Sequence, residues 1–139
     1  MSNWPNSVLQ LAKAIAHAEG FGPPENLPTR ANNPGDLTGL DAAGFPTNGT
    51  ANDEGVWNFV NLADGWEALY IKVNRMLAGR SAVYPLTMTL EQVGLKYSGG
   101  NPDWAANVAA FLGVPTTTTL AELADSPSSA VDIDEHIGG

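Results

Sequence analysis

A chain of 139 residues, 43% of them apolar, is long enough for one globular domain with its own core and too short for two. It has no cysteine, which excludes disulfides, thiol catalysis and cysteine-ligated metals, and no apolar run approaches the ~20 residues of a membrane span. The net charge is −9 and Lys and Arg number only six, too few to neutralise a phosphate backbone, so nucleic acid is excluded as a partner.

The first predicted helix covers residues 8–19, with Ser7 as its N-cap, and ends on an acidic residue. Its buried face follows the i, i+3, i+4, i+7 spacing and consists of Val8, Leu11, Ala12, Ile15 and Ala18. Glu19 extends that face, and Gly20 is a typical residue to end a helix. Burial and the negative helix end both disfavour the ionised carboxylate, so we expect the pKa of Glu19 to be raised. A carboxyl group that keeps its proton near neutral pH suits general acid catalysis.

The segment from Gly20 to Gly55 is dense in Gly, Pro, Asn and Asp, which excludes a helix and favours turns. Two short runs, 37–40 and 56–60, are predicted to form a small β-sheet. The sequence NNPG at 32–35 is typical of a type I or II turn. We expect this turn to place polar side chains, including those of Asn33 and Asp36, opposite Glu19.

Four more helices are predicted from start signals in the second half of the chain. The signals are Asp64 with Glu67, Thr89 with Gln92, Asn101 before Pro102, and Thr119 with Glu122. Gly79 and Gly113 are predicted to end the first and the third of these helices. Trp66, Trp104 and Phe111 fall on the predicted apolar faces of these helices. The expected fold class is α+β, mainly helical, with a small β-hairpin lobe after the first helix. One domain would cover residues 1–125, and residues 126–139 would form a flexible acidic tail.

Several segments taken together resemble the lysozyme-like superfamily. They are AEGFG, TRANNPGDL, FVNLADGWEAL, MTLEQVGLKYSGGNPDWAANVAAFLGVP and TTLAEL, within roughly residues 8 to 124. The likeness is to small bacterial and phage peptidoglycan-cleaving domains of the lytic transglycosylase and goose-type lysozyme kind. It implies a lysozyme-like fold and cleavage of MurNAc–β-1,4–GlcNAc bonds in peptidoglycan.

The resemblance also implies roles for individual residues. A single Glu ends the first long helix of that family and serves as the general acid, which is the place of Glu19. In lytic transglycosylases this Glu is acid and then base, and the sugar's own 6-hydroxyl closes an anhydro ring. Hydrolytic lysozymes add a second carboxylate, or a polar residue that holds a water, on the β-lobe. Asp36 and Thr47 are the candidates for that second role, and the two reaction types stay open.

Other candidates come from one loose motif and from aromatic side chains. Tyr97 in KYSGGNP resembles the Tyr of the Tyr-Asn-x-Gly motif of lytic transglycosylases, whose hydroxyl approaches the catalytic Glu, although Ser98 replaces the Asn. Aromatic rings suit the apolar faces of sugars, so Trp57 and Phe59 are predicted to bind substrate. Asn33 and Ser98 are predicted to bind it through polar groups.

The predicted reaction needs neither a cofactor nor a metal, and the expected partner is a peptidoglycan glycan strand bound by a monomer without membrane insertion. The first residues, MSNWPNS, show no basic or apolar segment typical of a signal peptide. We therefore expect synthesis in the cytoplasm and delivery to the wall by phage lysis, a virion or contact-dependent export. Two alternatives stay open: a non-catalytic carbohydrate-binding or structural domain of a phage particle or secretion machine, and a chitinase-like hydrolase.

Overall fold

The computed structural model describes residues 4–22, 32–37, 49–51 and 57–125. In these ranges the elements are α1 (Asn6–Ala18), β1 (Gly49–Ala51), β2 (Trp57–Phe59), α2 (Leu62–Leu77), α3 (Leu90–Tyr97), α4 (Pro102–Leu112) and α5 (Leu120–Asp125). This confirms the predicted mainly helical α+β class. Thr47 and the predicted tail, residues 126–139, lie outside the described residues. No helix in the described ranges is long and apolar enough to cross a membrane.

The caps of α3 and α4 lie where the sequence predicts them. Thr89 Oγ1 accepts a hydrogen bond from the Gln92 N–H, and the Gln92 side chain accepts one from the Thr89 N–H, which completes a capping box. Asn101 caps α4 with Pro102 in its first turn, and Gly113 ends the helix in the left-handed conformation (φ 74°). These ends are local features, so they follow from residues a few positions apart.

The start of α1 differs from the prediction. Ser7 was expected to be the N-cap, but the helix begins at Asn6 and Pro5 takes the cap position without a side-chain hydrogen bond. The Pro5 carbonyl accepts from the N–H groups of Val8 and Leu9 at 3.0 and 3.2 Å. Two of the first N–H groups of α1 are therefore bonded to a backbone carbonyl in place of the Ser7 hydroxyl.

The start of α2 is also earlier than predicted. Asn61 is its N-cap, and the Asn61 side chain accepts a hydrogen bond from the Asp64 N–H at 2.9 Å. Glu67, the expected partner of Asp64 in a capping box, instead accepts a hydrogen bond from the Trp4 indole at 3.3 Å. A long-range contact has therefore replaced a local one. The predicted end of α2 is confirmed, since Gly79 follows it with φ 74°.

The main core lies between α1, α2, α3 and α4. α1 packs on α4 and on α2, and α3 packs on α4. The largest fully buried side chains of this core include Leu11, Ile15, Leu69, Met76 and Leu90. Trp104 is buried as predicted, and Trp66 is partly buried against this core. Phe111 is 46% exposed, contrary to prediction, because α4 buries a stripe that ends before it, and its ring lies 5.5 Å from that of His17.

The described part of the β-lobe is a two-stranded hairpin, and its first strand differs from the predicted one. β1 pairs antiparallel with β2, with Thr50 opposite Asn58. The predicted strand at 37–40 is wrong at Leu37, which is not in a strand, and residues 38–40 lie outside the described ranges. The Leu37 carbonyl still accepts from the Trp57 N–H at 2.9 Å, and its side chain packs with Phe59. Leu37 therefore joins the turn to β2 without extending the sheet.

The turn at residues 32–37 lies directly on α2. A Cβ atom added to Gly65 would lie 1.8 Å from the carbonyl oxygen of Asn32, so only glycine permits this approach. Asn32 itself has a left-handed backbone (φ 54°), and its side-chain amide donates to the Phe59 carbonyl at 3.2 Å. The turn is thus held between α2 and β2, and it carries Asp36 toward the end of α1.

Candidate active site

Glu19 lies at the junction of α1 with the turn. It is the C-cap of α1, and its N–H donates to the Ile15 carbonyl at 2.9 Å. Gly20 follows in the left-handed conformation (φ 80°), which confirms the predicted helix end. The side chain of Glu19 is half-buried, so its carboxyl group borders both the core and the surface.

Two side chains from distant parts of the chain hydrogen bond to the Glu19 carboxyl group. The indole Nε1 of Trp104, on α4, donates to Glu19 Oε2 at 2.7 Å. The carboxyl group of Asp36 forms a side-chain hydrogen bond with Glu19 from the turn. A hydrogen bond between two carboxyl groups requires one proton between them. The site is therefore a carboxyl pair with an indole donor on one side.

The pKa of Glu19 is raised from 4.5 to about 7, as the sequence led us to expect in direction. Burial is the largest cause, and the negative charge of Asp36 and its hydrogen bond with Glu19 act in the same direction. The Trp104 hydrogen bond and the positive charge of Lys72 lower it. Glu19 therefore keeps its proton up to about neutral pH, which is the property required of a general acid.

Asp36 reaches Glu19 through a turn with an unusual backbone. Its φ is 51°, in the left-handed region, and its N–H donates to the Asn33 carbonyl at 3.0 Å. The turn thus brings Asp36 to Glu19, as the NNPG sequence predicts. Two carboxyl groups in hydrogen-bond contact leave no room between them for a water, which needs about 6.5–9.5 Å. A bound sugar would have to enter between the two groups.

Tyr97 contacts groups on two sides of Glu19. Its hydroxyl donates to the Gly35 carbonyl at 2.7 Å, in the turn that carries Asp36. Its ring stacks on Trp104 with centroids 5.0 Å apart and planes at 29°. Tyr97 therefore positions both neighbours of Glu19, the turn that carries Asp36 and the indole that donates to the carboxyl group.

Three of the residues predicted to bind substrate make contacts that hold the fold together. Asn33 is fully buried, and its amide donates to the carbonyls of Leu37 and Trp57 and accepts from the Leu37 N–H. Phe59 is 4% exposed and packs with Leu37 and Ala68 in a second, smaller core. The Ser98 hydroxyl donates to the Gly94 carbonyl at 2.6 Å and accepts from the Asn101 N–H. A turn, a hairpin and a helix end each use one of these side chains, and their role in binding substrate stays a prediction.

Trp57 differs from those three residues. It is half-buried on β2, and its indole Nε1 is buried with no hydrogen-bond acceptor among the described residues. It therefore stays a candidate for sugar binding. Thr47, the other candidate for holding a water, lies outside the described residues.

Lys72 is a charged residue near the site that the sequence analysis missed. It is only 9% exposed, and its Nζ lies 4.7 Å from the ring centroid of Tyr97 and 5.5 Å from that of Tyr84. The sequence signal for its burial was its place on α2, three residues after Leu69 and four before Met76, both of which are buried. A lysine on that stripe has to be buried with the rest of the helix face.

The functional groups of the site come from α1, the turn, α2, α3 and α4, which converge at the end of α1. In the described part of the chain, no group of three His, Asp or Glu side chains is arranged to hold a metal ion. Comparison of the chain with protein-family models, curated proteins and solved structures finds no match.

Proposed function

We propose that this protein cleaves the glycan strand of peptidoglycan at MurNAc–β-1,4–GlcNAc bonds, with Glu19 as the general acid. The observation that carries the proposal is a half-buried carboxyl group at the end of the first helix, with a raised pKa and hydrogen bonds to Trp104 and Asp36. A long helix that ends on Glu and is followed by a turn and a hairpin is also the order that the sequence resemblance implies. On that ground we propose a lysozyme-like fold.

The chemistry of glycosidic cleavage fits the side chains of this site. The departing oxygen needs a proton, and the sugar left behind carries a developing positive charge. Glu19 supplies the proton, and the Trp104 N–H stabilises the carboxylate that remains, because a donor favours the charged form of its acceptor. Asp36, next to Glu19, supplies negative charge beside the developing oxocarbenium centre. The proton that Glu19 shares with Asp36 in the free protein passes to the glycosidic oxygen when a sugar separates them.

The alkaline limb of the pH profile is expected to have its midpoint near pH 7. Glu19 must be protonated to act as an acid, and its pKa is about 7. Activity therefore falls as pH rises through that value. The measurement is the initial rate of glycan release from purified peptidoglycan across a pH series at constant ionic strength. A midpoint near 4.5, the ordinary value for Glu, would show that Glu19 is not the acid or is not buried.

Substitution of Asp36 tests the reaction type. We expect Asp36→Asn to lower the rate of glycan cleavage by about a hundredfold or more, a size typical of a lost general acid–base or charge-stabilising group. The wild-type protein is expected to release products with reducing ends. The substitution also removes the charge that raises the pKa of Glu19, so the alkaline limb is expected to shift to lower pH. Rates and mass spectrometry of the released fragments measure both effects.

The control for that experiment is Asp103→Asn, at an exposed position in the first turn of α4. It removes the same charge at the surface and is expected to leave rate and products unchanged. Near-wild-type rates of Asp36→Asn together with 1,6-anhydro products would contradict a catalytic role for Asp36. Glu19 would then act alone, as acid and then base.

The substrate class is tested by offering purified peptidoglycan and chitin side by side. Release from peptidoglycan alone is the expected result. Release from chitin alone would replace the proposal by a chitinase-like activity. Binding to either polymer without release, by a protein that melts cooperatively, would favour the non-catalytic carbohydrate-binding alternative.

A further inference from the structure

A buried lysine destabilises the folded protein unless nearby groups offset its positive charge. Lys72 is the charged residue among the buried side chains of the described ranges. Moving an ammonium group out of water is unfavourable unless partners compensate its charge. The faces of Tyr97 and Tyr84 offer partial compensation, since both ring centroids lie within 6 Å of Nζ. A negative charge nearby would supply the rest.

That negative charge is present in the Glu19–Asp36 pair. Lys72 acts electrostatically on Glu19 and favours its ionised form. The ring under the ammonium, Tyr97, stacks on Trp104, and Trp104 donates to Glu19. The Tyr97 hydroxyl also binds the Gly35 carbonyl, one residue before Asp36. One aromatic ring thus contacts the lysine, the indole and the turn.

We propose that Lys72 is a positioning residue for the catalytic pair: its buried ammonium, fixed over Tyr97, sets the pH range in which Glu19 and Asp36 share a single proton. Two adjacent carboxylates without a proton repel each other, and two fully protonated carboxyl groups carry no charge to stabilise an oxocarbenium centre. A fixed positive charge favours the loss of each proton, so it moves the pH range of the singly protonated pair downward and lowers its alkaline limit. This inference rests on the proposed function and assigns the residue that sets its working pH range.

The groups whose charge or titration bears on Lys72 come from every side of the site. They are Glu19 at the end of α1, Asp36 in the turn through its bond with Glu19, Tyr97 on α3, and Tyr84 between α2 and α3. Of these, Glu19 is the group that loses a proton near neutral pH. Since the ammonium favours ionised Glu19, its removal must move this titration upward.

The test compares Lys72→Met, which removes the charge and keeps an unbranched apolar stem, with Lys72→Arg, which keeps the charge and stacks on aromatic rings. The titration of the Glu19 carboxyl carbon is followed by NMR in the free proteins, and the alkaline limb of activity is followed on peptidoglycan. We expect both midpoints to shift upward in Lys72→Met and to stay near the wild-type value in Lys72→Arg. Lys72→Gln is a second neutral variant with the same expected shift.

Unchanged midpoints in folded Lys72→Met or Lys72→Gln would overturn the inference, because a purely structural lysine affects the melting temperature and leaves the titration in place. Failure of both neutral variants to fold, with Lys72→Arg folded, would also overturn it in favour of a structural role for the charge. If the wild-type protein cleaves no glycan, the proposed function fails, but the NMR titration still decides the role of Lys72.

Discussion

Replacing Glu19 by Gln is expected to abolish glycan cleavage, to less than a few per cent of the wild-type rate, while the melting temperature stays the same or rises. Glutamine has no proton to give to the leaving oxygen. Its amide can still accept the Trp104 hydrogen bond and donate to Asp36, so the contacts of the folded state are kept. It also removes a carboxyl group whose ionised form is disfavoured by burial.

The gain in stability from Glu19→Gln depends on pH. The pKa of Glu19 is higher in the folded protein, at about 7, than its ordinary value of 4.5, so the folded state binds the proton more tightly. The wild-type protein therefore loses stability as pH rises through this window, and Glu19→Gln does not. The gain in melting temperature from Glu19→Gln should grow between pH 4.5 and 7 and then level off.

Thermal melts across that pH range and rates on purified peptidoglycan measure the two effects of Glu19→Gln. Glu91→Gln, at an exposed position in the first turn of α3, is the matched control and should change neither. Residual cleavage above a few per cent by Glu19→Gln would show that another group is the acid.

A second large effect is expected from Gly65→Ala, which adds one methyl group where the turn meets α2. That carbon would lie 1.8 Å from the Asn32 carbonyl oxygen and 3.1 Å from Pro34, so the backbone of the turn has to move. Overpacking of this kind costs about 1–3 kcal/mol or more. The gain in helix propensity from Gly to Ala, about 1 kcal/mol, offsets only part of it. Because the displaced turn carries Asp36, activity is expected to fall together with stability.

Chemical denaturation and cleavage rates of Gly65→Ala test this expectation. Leu62→Ala, at a residue that is 43% exposed in the same helix, is the control and should have a small effect on both. A stable Gly65→Ala protein with wild-type activity would mean that the turn is not held against α2 as the structure describes.

The helix ends and the place of Glu19 could be predicted from the sequence alone, because they depend on residues close together in the chain. Helix caps join residues three or four positions apart, so the box at Thr89 and the glycine stop at Gly113 could be predicted from their neighbours. The apolar spacing of α1 placed Glu19 at the edge of the core in the same way. Its raised pKa follows mainly from that burial.

Only the tertiary structure decided what surrounds Glu19, because its contacts join segments that no local pattern connects. Trp104 lies 85 residues away and was expected only to pack, yet its indole donates to the carboxyl group. Asn33 carries the same polar groups as a ligand-binding residue, and its burial between the turn and β2 depends on how those elements meet. The charge of Lys72 acts on Glu19 because α2 packs against α1, and spacing along one helix does not determine which helix lies beside it.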